Sequence, residues 1–233
     1  MAFDTTQVRT QVSAQKKFMT RVYGWMALAL TLSFASAFGT ARAVSINQTV
    51  AQLLYNGIGM TVLIIAELAL VFTLSAAIRK ISVGGAIAAF IAYSVINGMT
   101  LSSIFLYYRL GSIALIFLVS ALMFGAMSIY GVTTDQNLAS TGRYLMMALI
   151  GIIIASVINL FLHSSGFAWV ISLVTVVVFT GITAYDTQRM FHAAAYADDS
   201  ALVQKASIIG ALKLYLDFIN IFLSLLRLFG RRR

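Results

Sequence analysis

Two aspartates sit where charge is expensive. Asp186 lies in TGITAYDTQRM (180–190), at the end of an apolar run, and Asp217 lies in IIGALKLYLDFINIFLSLLRLFG (208–230). A charge at the centre of a membrane helix costs about 2.5–3.5 kcal/mol on insertion scales, so something is expected to compensate it. The two positions are near-symmetric about the polar stretch YADDSALVQ (196–204). An antiparallel hairpin turning there would bring both carboxylates to a similar depth. Two carboxylates in one low-dielectric site cannot both ionise cheaply, so such a pair is expected to share a proton. That is the chemistry of a proton sensor or an acid/base dyad. The plainer reading gives each aspartate its own base, with Lys213 one turn before Asp217 and Arg189 three residues past Asp186.

Further polar residues follow a helical spacing. Lys213, Asp217, Asn220, Ser224 and Arg227 recur at intervals of four, three, four and three, which puts all five on one face of a helix. A polar stripe on an apolar helix must face protein or water, so this helix is expected to pack inside a bundle. Upstream, Glu67 and Arg79 lie twelve residues apart, about 18 Å along a helix, while Asp217 and Arg227 are ten apart, about 15 Å. If Arg79 sits beside the aspartates, Glu67 comes level with Arg227. Two ionic clusters are then expected: Arg79 with Asp186 and Asp217, and Glu67 with Arg227. Arg79 also reads as an ordinary positive flank of a span. Thr183 and Asn220, each near one turn from an aspartate, add oxygens. Calcium prefers six to eight oxygen ligands, so two carboxylates imply transient binding and no structural metal site.

The elements that must position these groups are legible from composition. Of 233 residues, 61% are hydrophobic and 10% charged, against about a quarter charged in a soluble domain. Seven apolar runs are each close to the roughly 20 residues that cross a bilayer, at 22–40, 57–78, 83–107, 112–131, 143–162, 167–188 and 207–229. Their continuity predicts an all-α, seven-helix membrane bundle instead of a barrel. A basic cytoplasmic segment (1–21) precedes the transmembrane domain (22–229), and a basic tail (230–233) follows it.

The net charge of +9 comes from flanking bases, and no basic, aromatic-interleaved patch suggests nucleic acid. There is no cysteine for disulfides or thiolate metal sites, and no proline to break a transporter helix. The first run resembles a secretory signal, with Ala35–Ala37 as its cleavage site, but its long polar lead and six further spans favour an anchor. Nine basic residues on one side of the spans against six on the other favour a cytoplasmic N-terminus. The basic tail then falls on the outer side unless the last segment re-enters. Asn97 and Asn159, in the repeated tetrapeptide SVIN, are expected to bond across helices, and Tyr107, Tyr108 and Trp169 fit an aromatic belt. His163 and His192, near span ends, are expected to be interfacial.

AYDTQ on the sixth span and LYLDFINIF on the seventh, with FMTRVYGWM entering the first and YGVTTDQNL after the fourth, resemble the transmembrane Bax-inhibitor-motif family, bacterial branch. The resemblance covers nearly the whole chain. It implies a central seventh helix wrapped by two three-helix layers, and a pH-sensitive calcium leak of the inner membrane with Asp186 and Asp217 as a di-aspartyl sensor. It further implies Arg79 as the base that bonds the dyad and helps close the pore, and Glu67 with Arg227 as a second ion pair. Calcium ions, protons and the lipid bilayer are the implied partners, with no cofactor, and some bacterial relatives associate with a membrane-bound ATP-dependent protease.

Three other readings compete. A non-channel modulator of membrane proteins, such as that protease, would use the charges only to hold the bundle together. An intramembrane aspartyl protease also places two aspartates on helices six and seven, but LYLD stands where a glycine-rich G-x-G-D belongs, and its proline-containing loop cannot exist here. A retinal Schiff base at Lys213 lacks a counter-ion carboxylate on the third span. No enzymatic activity is expected.

Overall fold

The computed structural model describes residues 5–194 and 200–233, and the chain is helical nearly throughout. The helices are α1 (Thr5–Ile46), α2 (Gln48–Tyr55), α3 (Ile58–Ala76), α4 (Val83–Leu101), α5 (Ser103–Tyr107), α6 (Leu110–Thr133), α7 (Ala139–Leu162), α8 (Ser165–Ala193) and α9 (Ala201–Phe229). Among the described residues, seven helices are long and apolar enough to cross a membrane, α4 and α5 together forming one of them. They match the seven runs expected from sequence. The largest departure is α1, which starts at Thr5 instead of near residue 22. The basic stretch with Lys16, Lys17 and Arg21 is therefore continuous with the first span, and the helix passes unbroken through Ala35–Ala37.

The chain divides into two compact units. The first holds α1 to α5 with the start of α9, up to Leu212. Here α4 packs against both α1 and α3. Small residues let α1 and α4 approach: a Cβ on Gly98 would overlap the backbone of Ser33. Ser33 and Ser36 hydroxyls donate to the carbonyls of Ser94 and Val95, both at 2.7 Å. Close backbone approach through small residues, with hydroxyls bonding across, is how helices associate without a hydrophobic driving force. Trp25 meets Phe90 edge-on at 6.3 Å, and Phe18, Met19, Val22 and Met26 are buried, so FMTRVYGWM is a packing face.

The second unit holds α6, α7, α8 and Lys213–Arg232. It repeats the arrangement, with the third helix of the set, α8, packed against both α6 and α7. Gly131 of α6 lies so close to α8 that a Cβ would overlap the Ala184 carbonyl. Phe117 and Phe124 of α6 clasp Phe218 of α9, at 5.1 and 5.9 Å between ring centroids. Arg227 near the end of α9 reaches Ser172 near the start of α8. Asp217, earlier on α9, lies within electrostatic range of Asp186 late on α8. The two helices therefore run antiparallel, as the hairpin reading expected. Residues 196–199 of its turn lie outside the described residues, and Ala201–Gln204 is already helix.

Burial separates the spans. In α9, 72% of the most apolar window is buried, against 6% in α3 and none in α7. A helix apolar on nearly every side and so little buried, like α7, turns its exposed surface to lipid. The seventh span is the most buried of the seven among the described residues, and its buried surface is not its polar stripe alone. Leu212, Leu214, Tyr215, Ile221 and Leu226 are as buried as Asp217 and Ser224, while Lys213 and Arg227 are exposed.

The basic tail is placed by its backbone. Arg231 N–H donates to Ser112 Oγ at 3.0 Å, and its carbonyl accepts from Arg109 N–H at 3.1 Å. Helix α9 runs unbroken to Phe229, so the last span does not re-enter. The tail lies at the end where α6 begins.

Candidate functional site

The acidic pair is built within the second unit. Helix α8 carries Asp186 into the interior because its late turns are buried on nearly every side: Thr183, Ala184, Thr187 and Gln188 are all buried with it. Two hydrogen-bonded anchors hold those turns. Ser128 and Thr187 hydroxyls meet at 3.0 Å, joining α6 to α8. Gln188 Oε1 accepts from Leu138 N–H at 2.9 Å, and its Nε2 donates to the Gln136 carbonyl at 2.8 Å. The motif AYDTQ thus holds the motif YGVTTDQNL through backbone bonds. A side chain that satisfies both a buried donor and a carbonyl fixes one rotamer and one helix rotation.

Asp217 comes from α9 and is 5% exposed, and Asp186 is 9% exposed. Asp217 lies within electrostatic range of Asp186 and Lys213, and Asp186 within range of Lys213 and Arg189. The structure thus brings the two aspartates within electrostatic range of one another. Lys213, one turn before Asp217 and exposed, is a cation within electrostatic range of both aspartates. The Oδ2 atom of Asp217 is buried and has no hydrogen-bond partner. Buried acceptors of this kind are uncommon, and each needs a physical account.

The supporting residues behave differently from one another. Thr183 is fully buried, and its hydroxyl donates to the Phe179 carbonyl at 2.8 Å. Asn220 donates to the Leu216 carbonyl at 2.8 Å. The Thr183 hydroxyl proton is used locally, which leaves its oxygen lone pairs, whereas Asn220 keeps its oxygen and a second N–H. Arg227 donates to Ser172 Oγ at 3.2 Å. Among the described residues no group of three or more His, Cys, Asp or Glu side chains is assembled as a metal site.

Glu67 belongs to the first unit and is half-buried there. Its Oε2 accepts from Asn97 Nδ2 at 3.2 Å and its Oε1 from the Thr100 hydroxyl, tying α3 to α4. Asn97 thus bonds across helices as expected. Asn159 does not: its Oδ1 accepts from Ser164 N–H at 3.2 Å, closing the turn after α7. That turn needs an acceptor because His163 ends the helix in the left-handed conformation, at φ 49°. Arg79 follows the end of α3 and is exposed. The pairing of Arg79 with the aspartates, and of Glu67 with Arg227, would each join a residue of one unit to residues of the other.

Sequence reasoning missed Gln188, Thr187, Ser128 and Thr100. The first two adjoin Asp186 inside AYDTQ, so proximity to a buried charge was their only signal.

Seven apolar helices with a buried acidic pair define a multi-pass helical membrane protein with an ionisable interior. Residues 15–233 match the family model described as inhibitor of apoptosis-promoting Bax1. The chain belongs to this Bax inhibitor family, which is not a known enzyme family. It is 47% identical over 218 residues to the inner membrane protein YbhL of Escherichia coli (strain K12), covering 93% of this chain and 92% of that one. It is 42% identical over 232 residues to an uncharacterized protein of Borreliella burgdorferi, covering 99% and 98%. An uncharacterized protein of Rickettsia prowazekii, RP147, is 38% identical over 229 residues, covering 98% and 95%. With its seven spans and such relatives, the chain is a multi-pass protein of the inner membrane.

Proposed function

We propose that this protein is a pH-sensitive cation leak, with calcium as the favoured permeant ion and the Asp186–Asp217 pair as its proton sensor. The observation that carries the reading is Asp217 Oδ2, buried without a partner and in electrostatic range of a second carboxylate. A buried carboxylate oxygen with no donor is open to a proton or a cation. One proton held between the carboxylates relieves their repulsion, and losing it leaves two negative charges that attract a cation. Permeation needs binding that is weak enough to release, which two carboxylates with carbonyls and waters would give.

In the gate as proposed, Arg79 pairs with the ionised dyad and protonation weakens that pair, shifting the second span. Glu67 and Arg227 form the outer ion pair. The seventh span is central between two three-helix layers, a reading supported by the burial of α9. No enzymatic step and no cofactor enter this mechanism.

The test is calcium uptake by liposomes that contain the purified protein, beside empty liposomes, from about pH 5 to 8, a window that histidines and buried carboxylates can sense. Uptake above empty liposomes that changes with pH is expected. Absence of uptake at every pH would overturn the leak and favour a modulator of other membrane proteins, such as a membrane-bound ATP-dependent protease.

A further inference from the structure

We infer that the first unit carries a binding site for the headgroup of an anionic phospholipid, at the junction of the end of α3 with the first turns of α9. A cavity of about 480 Å³ opens there, lined by Ile78, Arg79, Leu202, Lys205, Ala206 and Ile209. Leu202, Lys205, Ala206 and Ile209 fall on one helix face, at intervals of three, one and three residues. Arg79 follows the cap of α3 at Ala77, so two cations from different elements converge on one opening.

The lining selects its ligand by chemistry. Among the described residues its two charges are both positive and no carboxylate lines it, so they attract an anion. Arginine presents a planar fork that fits phosphate oxygens, and lysine adds a point charge. Helix α9 starts at Ala201, so its positive end lies beside the same opening and adds to the attraction. The rest of the lining is aliphatic, and Leu202 is 67% exposed. A soluble phosphate would leave that apolar surface in water, whereas an acyl chain would cover it. Among the described residues no aromatic side chain or amide lines the cavity to hold a base or sugar. Both elements follow an even-numbered span, so they meet at one membrane face. By the charge count this is the inner face, where basic pockets between helices capture acidic headgroups. The site stands apart from any part Arg79 plays beside the aspartates, because Lys205 and Leu202 carry its test.

The experiment is native mass spectrometry of the full chain from micelles with equal phosphatidylglycerol and phosphatidylcholine. Phosphatidylglycerol should be retained in preference. Lys205→Gln should lower its retention about five-fold, as should Arg79→Gln, each the worth of one basic residue at an anionic surface. Leu202→Gln should also lower it, while Lys80→Gln, exposed and outside the lining, should not. Circular dichroism checks that each variant folds. Undiminished retention in Lys205→Gln would overturn the site, and so would an equal loss in Lys80→Gln. Displacement by glycerol 3-phosphate, with no effect of Leu202→Gln, would show a soluble-phosphate site instead.

Discussion

Each unit carries a carboxylate inside a membrane span, and the two are treated in opposite ways. Glu67 gives both its oxygens to donors on the neighbouring helix, Asn97 and Thr100. Asp217 keeps one buried oxygen without any donor, near a second carboxylate. The first arrangement is a cross-link: it satisfies polar groups and fixes α3 against α4. The second leaves a buried acceptor unsatisfied, which costs stability. The units otherwise use the same devices, since each packs its third helix between the other two and lets a glycine bring two backbones together. What separates them is polar satisfaction.

That contrast can be broken or sharpened by substitution. The largest loss of stability is expected for Glu67→Ala, which strands two donors and should cost about 1–3 kcal/mol by equilibrium unfolding in micelles. Gly131→Ala and Gly98→Ala should each cost about 1–3 kcal/mol in the same measurement, because the added methyl meets backbone and not a movable side chain. Equal losses at the two glycines would support the parallel construction of the units. Gln188→Ala should cost about 1 kcal/mol, since it removes two bonds and leaves the buried Leu138 N–H unpaired. The smallest change is expected for Asp217→Asn, and with the opposite sign. Removing a buried carboxylate whose Oδ2 accepts no hydrogen bond should leave the melting temperature unchanged or raised, while Glu67→Gln lowers it. A lowered melting temperature for Asp217→Asn would mean that the carboxylate is structural after all.

The spans were legible because a bilayer demands some 20 apolar residues in a row, and loops break that run. The aspartate pair was legible because charge is rare in such runs, and the hairpin spacing located the partner. Other features depend on which helix lies opposite, and no period in one chain reports that. Gln188 looks like an ordinary polar residue until the 136–138 backbone is placed beside it. Asn97 and Asn159 sit in the same tetrapeptide yet bond differently, one across to Glu67 and one into a turn. The position of the basic tail was also out of reach, because backbone bonds to Arg109 and Ser112 fix it and its charges do not. The stripe on α9 was over-read: in a helix buried on nearly every side, polar spacing no longer marks the inner face.

The most direct test is the pH dependence of calcium uptake in liposomes for wild type, Asp217→Asn and Glu67→Gln, compared at matched protein content. The account predicts that Asp217→Asn flattens the pH profile while Glu67→Gln keeps its shape. An unchanged profile in Asp217→Asn, or a profile lost equally in Glu67→Gln, would contradict the proposal that Asp217 is the sensor.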